Sequence, residues 1–197
     1  MTPEYGFRIA VATNTGTAGT GTISATTTTL TGSGTNFDPE LVEGTIIHAT
    51  ASGQTLVVAS RADDTNAVLV TAPVTPISGG AFTYTPMLNL EDIALEAPKP
   101  LFLPWLESKD LGNGRVRGAG RPKGTWAWGY VTRVQRDILR TYCVGKSSLV
   151  YIRTSINDNS DAYVTYSAVM LWPDGDEGRD ASRRINFMIE FRNLVAL

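Results

Sequence analysis

Histidine and cysteine are almost missing from this sequence: His48 and Cys143 are the only ones in 197 residues. A lone cysteine forms no intramolecular disulfide, and at helical spacing Cys143 reads as a small core residue. One histidine and one cysteine cannot build a metal site of the Cys/His type. A Ser-His-Asp or Cys-His nucleophile would have to use His48, which lies in a strand-like stretch with Ile46 pointing the same way and Ile47 the opposite way. Nothing in the surrounding residues recommends it. Long apolar runs are absent as well. No segment approaches the roughly 20 residues needed to cross a bilayer, so no membrane insertion is expected. The first residues, MTPEYGFRIAVAT, lack a basic stretch followed by a long apolar run, so no signal peptide is expected either.

Nucleotide-binding motifs are missing too. No Walker sequence occurs, and Gly112, Gly114, Gly118 and Gly120 do not have the spacing of a dinucleotide fingerprint. Carboxylates cluster in DGDEGRD (174–180) and NDNSD (157–161). Asp174 and Asp176 start like a calcium loop, but Gly178 and Arg179 occupy its fifth and sixth positions, where the loop needs Asp or Asn and then Gly. Both clusters read as solvated turns. The sequence therefore assigns no catalytic residue, no metal ligand and no cofactor.

What is present is β pattern. Hydrophobic residues make up 42% and charged residues 18%, the balance of a globular chain with a real core. In residues 5–13, Phe7, Ile9 and Val11 alternate as a first strand. From Thr13 to Thr35 eleven of twenty-three residues are Thr, interleaved with Gly, Ser and Ala, a composition suited to pleated, half-exposed surface. Short strands are predicted at 44–50, 54–60, 66–72 and 81–86, separated by turn signals. Residues 16–86 are thus expected to form a small β domain of their own, inserted after the first strand.

Residues 87–104, with prolines at 98, 100 and 104, read as a connector carrying one short helical turn and then an extended run. Residues 109–124, KDLGNGRVRGAGRPKG, hold five basic side chains and five glycines and show no strand or helix period. Arg115, Arg117, Arg121 and Lys123 suit a flexible arm that docks on an acidic surface or faces phosphates; the alternative is a solvated loop. In 126–130, Trp126, Trp128 and Tyr130 alternate, placing three rings on one strand face. Trp105, Trp126, Trp128 and Trp172 could serve as a sugar-stacking platform, but core or interface packing is the better reading, since Trp126 and Trp128 adjoin a helix.

That helix is predicted over 132–144. Thr132 and Gln135 have capping-box spacing, Val134, Ile138, Leu139 and Tyr142 form the expected core face, and Gly145 is placed to end the helix in a left-handed conformation. Strands follow at 148–155 and 162–172, then a polar loop at 173–182. A final strand spans 183–197, in which Ile185, Phe187, Ile189 and Phe191 share a face. The expected fold is mainly β: a sandwich or barrel (105–197, plus a first strand from 1–15) with one flanking helix, together with the second small all-β domain.

The formal charge of −2 hides an imbalance. Residues 1–100 carry three basic and nine acidic side chains, a net of −6, and residues 101–197 carry fourteen and ten, a net of +4. Such a chain can associate head to tail with its own copies, or it is two units with independent surfaces.

The segment 30–47, LTGSGTNFDPELVEGTII, resembles a small β module of tailed-bacteriophage structural proteins, in Thr31, Gly32, Gly34, Thr35, Phe37 and Gly44. The C-terminal half, with TWAWGYV, VYIRT, AVMLWP and INFMIEFRNL, is similar in pattern to phage tail-tube and distal-tail proteins. The resemblance implies a virion structural subunit, assembled in the host bacterial cytoplasm, that forms homo-oligomeric, hexameric rings able to stack. Its partners would be other virion tail proteins, with phage DNA only as transiting cargo. The basic loop would then contact the next subunit or ring, because a basic lumen would retain DNA. A neck or capsid-decorating protein, a receptor- or carbohydrate-binding virion module and a hydrolase are the alternative readings.

Overall fold

Period-two alternation of apolar and polar residues dominates the chain, and the computed structural model folds it into antiparallel sheets. The structure describes residues 6–12, 16–155, 163–173, 178–180 and 183–197. The acidic run 157–161 and the pair Asp174 and Asp176 lie outside the described residues.

After β1 (Arg8–Val11) come β2 (Thr17–Ala18), β3 (Thr22–Ala25), β4 (Thr29–Ser33), the one-turn helix α1 (Phe37–Glu40), β5 (Ile46–Ala49), β6 (Gln54–Arg61), β7 (Asn66–Leu69), β8 (Ile77–Gly80) and β9 (Phe82–Thr85). Next are β10 (Leu88–Asn89), a 3₁₀ turn (Leu90–Ile93), β11 (Lys99–Leu103), β12 (Glu107–Asp110), β13 (Val116–Ala119) and β14 (Lys123–Thr132). The chain ends with α2 (Arg133–Thr141), β15 (Ser147–Ser155), β16 (Tyr163–Leu171), β17 (Gly178–Asp180) and β18 (Arg183–Ala196). Two compact units result, one of Met1–Ala12 with Leu88–Ala196, the other of Thr13–Met87. The fold is mainly β, with α2 the one helix longer than a single turn among the described residues.

In the smaller unit the strand order is β2-β9-β5-β6-β7-β4-β3-β8. Its core gathers Ile23, Leu30, Phe37, Leu41, Ile47, Val58, Leu69 and Phe82. The TGSGTNF motif earns its residues by geometry. A Cβ on Gly32 would lie 2.0 Å from Thr35 Oγ1. Gly34 has φ +66, a conformation that strains any side-chain-bearing residue. Thr35 Oγ1 donates to the Asp64 carbonyl at 2.8 Å, and Phe37 is buried edge-on against Phe82. The 63–66 turn braces this corner, since the backbone N–H of Gly32 bonds the Thr65 carbonyl and that of Asp38 bonds Asp64 Oδ1.

The larger unit is built on a sheet ordered β10-β1-β15-β16-β18-β14-β11, with β17 paired to β18. Trp126 fills its centre. Its ring meets Phe191 at 4.7 Å and Phe7 at 5.8 Å, and its Nε1–H donates to Thr154 Oγ1 at 2.9 Å. Trp128 is buried beside it and donates to the Glu96 carbonyl. The Pro-rich segment 87–104 is not a bare connector: β10 pairs with β1 and β11 pairs with β14, so it supplies both edges of the sheet.

The final strand departs from simple alternation. Phe187, Ile189 and Phe191 are buried, but Ile185 is substantially exposed. Asn186 and Asn193 both have positive φ, and the β16–β18 register slips between Ser167 and Val169. Such irregularities re-aim side chains, so Leu194, three residues after Phe191, is again buried.

Candidate interaction surface

Residues 109–124 were expected to be a loop without period. Instead β12 and β13 form a separate two-stranded sheet, with Glu107 opposite Ala119 and Asp110 opposite Val116. The turn is tight: Leu111 N–H donates to the Arg115 carbonyl at 2.7 Å and Gly114 N–H to the Leu111 carbonyl at 2.9 Å. β12, Glu107–Asp110, holds no apolar residue and β13 is exposed along most of its length, so neither strand shows an alternating pattern in the sequence. Every residue from 107 to 118 is exposed. A two-stranded hairpin solvated on both faces is marginally stable by itself. The base of this one is held by Trp105, whose ring lies on Gly118 so closely that a Cβ there would be 2.6 Å from it.

Arg115 and Arg117 lie on the hairpin, Arg121 is exposed just after it, and Lys123 opens β14. Among the described residues none of the four has an ion-pair partner. Apolar groups lie between them, with Leu111, Val116 and Trp105 all more than 40% exposed. The arm thus mixes cations with apolar surface, which suits a protein contact better than a purely electrostatic one. Residues 107–123 carry a net charge of +3. The smaller unit, Thr13–Met87, carries −4.

The edges β10 and β11 of the larger unit's sheet are the second candidate surface, and the structure blunts both. β10 is two residues long, and β11 carries Pro100 with Pro98 and Pro104 flanking it. Proline removes the N–H that an added strand would need, so these edges discourage strand addition.

Helix α2 begins as its sequence dictates. Thr132 Oγ1 accepts from Gln135 N–H and Gln135 returns a bond to the Thr132 backbone. Its buried face differs from the expected one. Leu139 and Cys143 are fully buried and Tyr142 packs against the core, but Ile138 is only half-buried and Val134 is 69% exposed. The inward stripe is Gln135, Leu139, Tyr142 and Cys143. Gln135 turns in because its Nε2–H₂ donates to the Ile93 and Ala94 carbonyls. Gly145 does not adopt a left-handed conformation. The last turn tightens instead, with Cys143 N–H bonding the Arg140 carbonyl, and Arg140 covers the Val144 carbonyl. Arg136 and Arg140 also lie over the Trp172 ring, at 5.3 and 4.7 Å.

The remaining chemical candidates are built into the structure. His48 is buried on β5 with Nδ1 3.1 Å from Thr55 Oγ1. Cys143 Sγ points at the Met170 and Gly145 carbonyls. Tyr130 is exposed and lies under the Arg183 guanidinium. Burial raises the phenol pKa of Tyr142, Tyr151 and Tyr166. Asp63 moves the other way. Hydrogen bonds from the Asn66 side chain and from the Thr65 backbone and hydroxyl hold its carboxylate at about 2.

Among the described residues no three of His, Cys, Asp and Glu are grouped to hold a metal, and no helix is long and apolar enough to cross a membrane. A shallow pocket of about 150 Å³ lies between Leu101, Leu103, Lys123, Thr125 and Glu190. It is smaller than the several hundred Å³ typical of small-molecule sites. The chain matches no known protein family, no curated protein and no solved structure.

Proposed function

We propose that this chain is a structural subunit of a bacteriophage tail, in the tube or in a tail-tip ring, that assembles with copies of itself into hexameric rings. The arm at 107–123, with its β12–β13 hairpin, carries the reading. It exposes apolar groups and unpaired cations on a two-stranded sheet, an arrangement whose natural stabiliser is a partner surface. Opposite net charges on the arm and on the smaller unit give one copy something to offer another. Because edges β10 and β11 of the larger unit's sheet are blunted, neighbouring subunits meet there through the arm and side-chain faces and not through a continuous hydrogen-bonded sheet. In this reading the chain performs no catalysis, needs no cofactor and resides in the virion.

A carbohydrate-binding role for the smaller unit has less support. Of its aromatic residues, Phe37 and Phe82 are buried and Tyr84 is half-buried against the core, so none is fully exposed.

Electron microscopy and light scattering of the purified chain test the proposal. Rings or tubes are the expected result, weakening as salt screens the contact. Replacing Arg115, Arg117, Arg121 and Lys123 by Ser should abolish them while leaving circular dichroism and tryptophan fluorescence unchanged. A monodisperse monomer at all salt concentrations would sink the self-assembly reading; rings that survive the four substitutions would sink the arm's part in it.

A further inference from the structure

At the tip of the arm the chain carries the one Asn–Gly pair in its sequence, Asn113–Gly114, among nine asparagines. We propose that Asn113 is a site of spontaneous deamidation, converting to aspartate and isoaspartate. The reaction needs the backbone nitrogen of the next residue to reach the asparagine side-chain carbonyl, and glycine is the residue that obstructs this least.

The turn supplies the other conditions. Residues 112–114 are exposed, so solvent base and water reach them freely. Asn113 Oδ1 accepts a hydrogen bond from Arg115 N–H at 3.2 Å, which folds the side chain back over its own following peptide and polarises the carbonyl. Gly114 has φ +76, and a Cβ built on it would meet nothing within 4 Å. The position is kept for glycine by backbone conformation, not by packing. Lys109, Arg115 and Arg117 outnumber Glu107 and Asp110 on the same short hairpin, and the small positive excess favours the deprotonated amide that attacks. One interaction opposes reaction: Gly114 N–H is bonded to the Leu111 carbonyl. That bond closes the exposed turn of a short four-pair ladder, the kind of element that opens locally most easily.

In the step itself, solvent hydroxide removes the Gly114 amide proton and the nitrogen attacks Asn113 Cγ. A nitrogen–Cγ bond forms, the Cγ–Nδ2 bond breaks, and Nδ2 leaves as ammonia after taking a proton from water. Water then opens the five-membered imide at either carbonyl. One water is consumed and one ammonia released, with no oxidation or reduction. The aspartate product lowers the arm's net charge from +3 to +2. The isoaspartate product adds a methylene to the backbone inside the turn, which the bonds between Leu111 and Arg115 cannot accommodate unchanged. The reaction is that of the undocked arm, so the incubation is run at a salt concentration at which light scattering shows a monomer.

The test is peptide mapping of the folded full chain after incubation in warm, mildly alkaline buffer, beside a urea-unfolded sample. Trypsin releases residues 110–115, which contain one asparagine. In the folded chain this peptide should gain the mass of amide-to-acid exchange and split into aspartyl and isoaspartyl forms, ahead of every other asparagine peptide. Asn113→Gln should abolish both products. An unchanged 110–115 peptide from the folded chain overturns the proposal, whether or not the unfolded chain converts, and so does another asparagine converting equally fast.

Discussion

Replacing Trp126 examines the centre of the larger unit. The indole is 1% exposed and does two things at once: it fills the space between Phe7 and Phe191, and it satisfies the Thr154 hydroxyl through Nε1–H. Trp126→Phe keeps an aromatic ring but takes the donor from Thr154 Oγ1, itself buried, which keeps only a long 3.4 Å bond to the Ser155 carbonyl. Leaving a buried acceptor without its donor costs about 1–3 kcal/mol. Trp126→Ala removes the ring as well and should cost about 3–5 kcal/mol. Thr154→Val in the Phe background removes the orphaned hydroxyl, so the double mutant should be less destabilised than the sum of its singles, by about 0.5–1.5 kcal/mol. The assay is urea denaturation followed by tryptophan fluorescence. All four tryptophans, Trp105, Trp126, Trp128 and Trp172, belong to the larger unit, so the signal reports that unit alone, and circular dichroism adds the other. Equal costs for the Phe and Ala variants, or strict additivity in the cycle, would refute the assignment of separate packing and hydrogen-bonding roles.

Two further outcomes are expected. Leu139→Ala should cost about 2–5 kcal/mol, whereas Val134→Ala, on the exposed side of the same helix, should stay within about 0.5 kcal/mol; similar losses at both positions in the fluorescence-monitored melt would overturn the assigned helix face. For Asp63, the carboxylate pKa is lowered from 3.8 to about 2 in the fold. Its contribution to the smaller unit is therefore fully present above 3.8 and lost as pH falls through about 2. Asp63→Asn should remove that acid-dependent component, and a carboxylate that titrates by NMR at its ordinary value would contradict the turn's hydrogen bonding.

Local chemistry carried much of this architecture openly. Thr132 and Gln135 announce a helix start because a capping box needs only residues three apart. The Trp126 strand declares itself by period two, which belongs to the pleat and not to its neighbours, and the strands at 147–155 and 163–171 by short apolar, β-branched and aromatic runs. The Thr-Gly corner at 31–37 is likewise set by close approach and backbone conformation within a few residues. Three matters depended on distant partners. Val134 and Gln135 are adjacent on the helix, and only the Ile93 and Ala94 carbonyls, some forty residues away, turn the polar one inward. The Pro-rich run became a sheet edge because β14 was there to pair with it. The glycine-rich arm became a hairpin through cross-strand bonds and the Trp105 ring, which no side-chain pattern within 109–124 encodes. Periodicity and capping are short-range and can be read from neighbouring letters; the inward face of a helix and the pairing of a patternless strand are fixed by what the folded chain brings against them.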